Sequence, residues 1–135
     1  VIATPQPKRD ILIVDDNEQN LELIEAYLED VGASLRTAKD GLEALAKVQQ
    51  QLPDLILLDV MMPHMSGFQV CRKLKASDST RHIPIVIVTA LGEVSDIERA
   101  KEIGADDYLV KPVNKPDLIE RVHKWLTRGE GDSRG

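Results

Sequence analysis

Apolar residues gather into four short runs along the chain, and each run ends in a polar or charged residue. Ile11-Leu12-Ile13-Val14 gives way to Asp15-Asp16, Leu55-Ile56-Leu57-Leu58 to Asp59, Ile85-Val86-Ile87-Val88 to Thr89, and Tyr108-Leu109-Val110 to Lys111. Runs this short and apolar throughout predict strands covered on both faces. A weaker strand, second in chain order, contains Leu35 and Ala38. Between the strands the spacing becomes helical. Leu21, Ile24, Leu28 and Val31 follow Asn17, a helix N-cap, and stop at Gly32. Leu42, Leu45, Val48 and Leu52 form one apolar face after the capping-box-like pair Asp40 and Glu43, and Pro53 ends that helix. Phe68, Cys71 and Leu74 line a third helix, after a loop marked by Met62-Pro63 and Ser66-Gly67. Val94, Ile97, Ala100 and Ile103, with a cap at Ser95 and Glu98, give the fourth helix a narrow stripe that ends at Gly104. A narrow stripe buries less area, so this helix should be held less firmly than its neighbours. The last helix has Pro116 in its first turn and Ile119, Val122 and Leu126 facing inward.

Strand and helix alternate five times. Right-handed crossovers then favour an α/β, flavodoxin-like doubly wound (βα)5 sandwich of three layers, with a parallel sheet in the order 2-1-3-4-5. Ligands of such sheets bind outside the carboxyl ends of the strands, beside the switch between the first and third. Asp15, Asp16 and Asp59 fall there. The domain should span residues 10–127. Residues 1–9, with two prolines, and 128–135, polar and glycine-rich, read as flexible tails or a linker.

Composition narrows the function. The 135 residues suit one domain with a sizeable core. No apolar run approaches the roughly 18 residues that span a bilayer, and no signal-peptide pattern opens the chain. The first residue is not methionine, which suggests processing or a recombinant fragment. Cys71 stands alone, so no internal disulfide forms and a reducing cytoplasm fits. A formal net charge of −6 and an aromatic content of 3% argue against direct nucleic-acid binding by this segment.

The strand ends carry the chemistry. An Asp at the end of a buried strand is poorly explained by packing, because Asp is almost never fully buried unless paired. Two carboxylates at about 4 Å repel by roughly 4 kcal/mol at an effective dielectric near 20. A positive group must offset this, and the chain offers two routes. Oxygen-only ligands with no nearby Cys or His suit Mg²⁺, which keeps several waters. Lys111 reaches the same edge from the fifth strand. A carboxylate beside a divalent cation, an ammonium and the hydroxyl of Thr89 is equipped to accept a phosphoryl group.

The motifs Val14-Asp15-Asp16-Asn17, Asp59 with Met62-Pro63 and Gly67, Thr89-Ala90, and Lys111-Pro112 together resemble the receiver domain of bacterial two-component response regulators. The resemblance runs from Asp10 to Leu126. It implies that Asp59 is the phosphoacceptor, loaded by a histidine kinase or phosphotransfer protein, and that the chain is a signalling domain and not an enzyme. Asp16, Asp59 and the backbone carbonyl of Met61 would ligate Mg²⁺, with Asp15 acting through a water. Lys111 would pair with Asp59 or its phosphate. Thr89 would move to the phosphoryl oxygen, and Tyr108 would be the switch aromatic that turns inward after it. A cis Lys111-Pro112 peptide is a further expectation from the family. The fourth helix, fifth strand and fifth helix would form the output face toward an effector, an output domain or, after phosphorylation, a second copy. Met61 and Leu91 flank the site, and neither can orient an attacking water, so self-dephosphorylation should be slow.

Blander readings exist for each residue. Asp15-Asp16 could cap the first helix, Lys111 could be solvated, Thr89 could satisfy a strand end, and a half-buried Tyr108 needs no switching role. Cys71 reads as core. His64, His82 and His123 lack ligand spacing. Two other functions compete. A phosphatase of the haloacid dehalogenase type also uses an Asp nucleophile and Mg²⁺, but it wants a second acid two residues on, where Met61 stands. A flavodoxin-like nucleotide or flavin binder wants a glycine-rich phosphate loop after the first strand, where Asp-Asp-Asn stands.

Overall fold

A computed structural model describes residues 8–132. Among them the elements follow in the order β1 (Asp10–Val14), α1 (Glu18–Leu28), β2 (Ser34–Ala38), α2 (Gly41–Gln50), β3 (Leu55–Leu58), α3 (Gly67–Ala76), β4 (Ile85–Thr89), α4 (Val94–Glu102), β5 (Asp107–Val110) and α5 (Lys115–Asp132). The strands form one parallel sheet in the order β2-β1-β3-β4-β5. This is the flavodoxin-like order that the alternation predicts.

The strands are apolar on both sides because each face is covered. Leu12, Val14, Ile56, Leu58, Ile85 and Ile87 pack under α2, α3 and α4. Ile11, Ile13, Leu55, Leu57, Val86 and Val88 pack under α1 and α5. Cys71 is fully buried in the first of these layers, and burial pushes its thiol up to about 11. It is a packing residue.

Several local expectations shift. Asp40 accepts from the Glu43 N–H at 2.7 Å, but Glu43 returns its carboxylate to Lys39, at 2.6 Å, one residue before the cap. In α2 the inward face is Gly41, Ala44, Leu45 and Val48, at i, i+3, i+4 and i+7. Leu42, one step round the helix from Gly41, is 67% exposed, and Leu52 lies beyond the C-cap. The small inner residue matters there, since a Cβ on Gly41 would stand 3.0 Å from the Met65 side chain. The cap of α4 is Glu93, whose N–H donates to Asp96, and Ser95 lies inside the helix. Ala100 is the buried residue of α4, while Ile97 is half-buried and Val94 is exposed. Leu118 and Val122 anchor α5, with Ile119 and Leu126 half-buried. That helix continues through Asp132, into the stretch read as a tail from its glycines. Residues 133–135 of that stretch and 1–7 of the N-terminal arm lie outside the described residues. Arg9 is not loose: its carbonyl accepts from the Ser34 N–H at 2.7 Å.

Ion pairs pin the amino ends of the strands. The buried Asp10 carboxylate accepts from Arg36 Nε at 3.0 Å, and the same guanidinium donates to the α2 carbonyls of Lys47 and, just past the helix end, Gln51. Lys75 of α3 bonds Asp106 at 2.8 Å. Asp107 ties β5 to α5, accepting from Arg121 Nη1 at 2.6 Å and from the Trp125 indole at 2.8 Å. Charged groups removed from water in this way hold geometry where partners are complete.

Gly67 sets how closely α3 approaches the loop after β3. Its N–H donates to the Val60 carbonyl at 3.1 Å, and a Cβ there would lie 2.2 Å from the Asp59 carbonyl oxygen and 2.6 Å from Val60 Cα. Those are backbone atoms that cannot rotate away. Gly67→Ala should therefore cost about 1–3 kcal/mol, read as a lower urea midpoint at unchanged m-value.

Candidate functional site

The sheet order carries the polar residues at the strand ends to one edge. Asp15 follows β1, its N–H bonded to the Ala38 carbonyl at 3.1 Å, and Asp59 follows β3, its N–H bonded to the Val14 carbonyl at 2.9 Å. The strand ladder thus extends one residue further and fixes both backbones. Asp15 and Asp59 are buried, whereas Asp16 is exposed at the mouth. Each carboxylate is also held by a nearby amide. Asp15 Oδ1 accepts from Asn17 N and Asp59 Oδ1 from Met61 N, both at 2.9 Å. Asn17 in turn caps α1, accepting from Asn20 N at 3.0 Å.

Lys111, delivered by β5, places its ammonium between the two buried acids. Nζ donates to Asp15 Oδ2 at 2.6 Å and to Asp59 Oδ2 at 2.9 Å. The family resemblance implies the pairing with Asp59, whereas the bond to Asp15 is one that the residue pattern does not single out. Burial raises the Asp15 carboxyl above the usual carboxylate range and the Asp59 charge adds to this, while Lys111 and the Asn17 amide pull the other way. Burial alone would lower the lysine, but its two carboxylate bonds outweigh that and hold it above its ordinary value. The ammonium is therefore locked in its charged form.

One ammonium does not neutralise three acids. Asp15, Asp16 and Asp59 can each place an oxygen within 4.8 Å of the others. Asp16 makes no hydrogen bond or ion pair among the described residues. Oxygen donors alone, with negative charge left over, fit a hard divalent cation.

Thr89 closes β4 and is fully buried; its backbone carbonyl accepts from Lys111 N at 2.8 Å. Its hydroxyl accepts from Leu91 N at 3.5 Å. Tyr108 is half-buried, and its hydroxyl donates to the Leu91 carbonyl at 2.7 Å. Burial raises this phenol, with Asp96 and Asp59 adding to the effect. Tyr108 therefore holds the loop after β4 instead of entering the acid pocket. Leu91 went unrecognised as its acceptor because a backbone carbonyl leaves no trace in side-chain patterns. Met61 is 52% exposed beside Asp59. The Lys111-Pro112 peptide is cis. His64, His82 and His123 are exposed, and none joins the acid cluster.

The chain belongs to the response regulator receiver domain family, whose sequence profile matches residues 11–123. It is 52% identical over 118 residues to the response regulator PleD of Caulobacter vibrioides, covering 87% of this chain and 26% of that protein. It is 38% identical to the polar-differentiation response regulator DivK of Brucella anthropi, covering 87% of this chain and 96% of that one. The chain therefore spans about a quarter of the length of one relative and nearly all of the other. A CheY-like receiver domain protein from Methanospirillum hungatei superposes with a TM-score of 0.86 at 30% identity, over 93% of this chain and 98% of that one. The chain is thus a receiver domain of the kind found in two-component response regulators.

Removing the lysine exposes the electrostatics. Lys111→Met should leave two buried carboxylates facing each other and cost about 3 kcal/mol at pH 7. Without the ammonium, the Asp15 carboxyl rises further above its unfolded value. A raised carboxyl binds its proton more tightly in the folded state, so the variant should regain stability as pH falls toward 5. Urea denaturation at both pH values checks the sign.

Proposed function

We propose that Asp59 accepts a phosphoryl group from a phosphohistidine on a histidine kinase or phosphotransfer protein, and that residues 10–127 form the responding unit. The observation that carries this reading is the Lys111 ammonium lodged between Asp15 and Asp59. A lysine so placed can stabilise charge on the oxygens of a phosphoryl group arriving at Asp59. As an Asp59 oxygen forms the new P–O bond, the P–N bond breaks and its electron pair leaves with the imidazole nitrogen. Asp16, Asp59 and the Met61 carbonyl would hold Mg²⁺, with Asp15 acting through a water. When bound, the ion supplies positive charge to the phosphoryl oxygens.

Lys111 would exchange its Asp59 bond for one to the phosphoryl group and keep Asp15 as its fixed partner. The Thr89 hydroxyl would release the Leu91 amide to bond a phosphoryl oxygen. Tyr108, tied to the Leu91 carbonyl, would then follow the loop and carry the change to α4. The α4-β5-α5 surface would be the output face, for an effector, an attached domain or a phosphorylation-dependent second copy. The exposed Val94 and Val110 on that face support this. No helix among the described residues is long and apolar enough to cross a membrane, and a cytoplasmic setting suits the family. The dehalogenase-type phosphatase is less well supported, because Val60 is buried and Met61 presents no second acid.

Acetyl phosphate with Mg²⁺ should add one phosphate to the wild-type chain, seen by intact mass. Asp59→Asn or chelation by EDTA should abolish the adduct. Full labelling of Asp59→Asn would overturn the assignment, and continuous release of free phosphate would favour the phosphatase. Since Met61 and Leu91 cannot orient water, the phosphoprotein should persist for minutes or longer. Decay within seconds would contradict that.

A further inference from the structure

A groove of about 330 Å³ lies between α3 and α4, lined by Phe68, Gln69, Arg72 and Lys73 from α3 and Arg99 from α4. Among the described residues that line it, three are cations and none is an acid. In a chain of net charge −6 that concentration of one sign is not an average surface. The ten residues of α3 include Arg72, Lys73 and Lys75 and no acid at all. Lys75 is already used, bonded to Asp106 and to the carbonyls of Arg81 and Ile83. Arg72, Lys73 and Arg99 are exposed and make no ion pair among the described residues. Helix α4 mixes its signs, with Asp96, Glu98, Lys101 and Glu102, yet of its charged residues only Arg99 lines the groove. The Arg99 guanidinium lies over the buried Phe68 ring, 4.4 Å from its centroid. That stack fixes the plane of the fork in advance, so less freedom is lost when it forms hydrogen bonds. Gln69 spends its side-chain oxygen on the Ser66 N–H at 2.9 Å, which leaves its NH₂ group as a further donor.

We infer that this groove binds a compact anion bearing a diphosphate group. Its polar lining offers donors and positive charge, and the planar forks of two arginines match phosphate oxygens two at a time. A single carboxylate would leave two of the three cations unmet. A diphosphate presents oxygens on two phosphorus atoms, enough to engage both forks and the Lys73 ammonium together. The volume is at the small end for ligand sites, so the phosphates fill it and any organic group they carry projects outward. This site is separate from the acid pocket and does not depend on the reading of Asp59. Its placement has a mechanical consequence. Five residues of α3 are buried, whereas α4 buries Ala100. An anion held by Arg72 and Arg99 therefore staples the loosely seated helix to the firm one.

The test titrates the full chain with inorganic pyrophosphate, ADP and citrate, followed by amide NMR shifts. Mg²⁺ is left out, so that the acids at Asp15, Asp16 and Asp59 have no cation through which to hold phosphate. At about 100 mM salt, pyrophosphate should saturate with a Kd below about 1 mM and move the amides of residues 68–73 and 99. ADP should bind within about threefold of pyrophosphate, and citrate at least about fivefold more weakly. Arg72→Gln and Arg99→Gln should each weaken pyrophosphate at least about fivefold. Arg81→Gln removes an exposed cation outside the groove and should change nothing. Saturating pyrophosphate should also slow hydrogen exchange at the Ala100 and Ile103 amides at least about threefold in wild type, and not in Arg99→Gln. No saturable binding, or equal loss in Arg81→Gln, would overturn the site, because only diffuse attraction would then be at work. Citrate as tight as pyrophosphate would overturn the diphosphate assignment. Unchanged exchange in α4 with the groove filled would overturn the staple.

Discussion

One ammonium shared by two buried carboxylates is the constraint around which this molecule is arranged. Asp15 and Asp59 sit at the ends of adjacent strands, β1 and β3, where water cannot screen their repulsion. Lys111 comes from β5, on the far side of β4. The long lysine side chain spans the end of β4 to meet both acids, while its backbone N–H bonds the Thr89 carbonyl. The three strands must therefore end in register, and the helices hold them there.

Rigidity is unevenly distributed around this site. At the opposite edge, Asp10 with Arg36 and Asp106 with Lys75 fasten strands to helices with well-partnered charges. On the α1 and α5 side, Leu118 and Val122 fill a continuous layer and Asp107 latches β5 to α5. By contrast, α4 is held by one buried residue, Ala100, with the half-buried Ile103 just past its last turn, Arg99 over the Phe68 ring at 4.4 Å, and Glu93 and Asp96 at its start. Low local burial lowers the free energy of displacement. A helix beside Tyr108 that is cheap to shift, set among elements that are not, is a suitable moving part for a switch.

Much of this was legible from residue order. Four of the five strands, all but the weaker β2, read directly from their apolar runs, and parallel alternation in the flavodoxin-like order then places Asp15, Asp59, Thr89 and Lys111 on one edge. Helix faces were less legible, because side-chain size can mislead about direction. In α2 the inward residues include Gly41, which lets Met65 approach closely, and Ala44, while the larger Leu42 points out. The cap of α4 was misplaced because Ser95 is the better capping residue in isolation, yet the chain turns at Glu93. The Lys111–Asp15 bond was missed for a different reason. Periodicity tells which edge a side chain reaches, but not how one cation divides itself between two acids once it arrives.

Trp125 is the one tryptophan of the sequence, and its indole N–H is bonded to Asp107, whose neighbour in the chain is Tyr108. Indole emission responds to the polarity and the hydrogen bonding of a single ring. The chain therefore carries its own optical probe, positioned at the joint between β5 and α5 and one residue from the tyrosine that faces the loop after β4. Motion confined to α4 would leave this probe silent, whereas motion passed on through β5 would change its colour. The molecule can be asked, without any label, on which side of Tyr108 a conformational change stops.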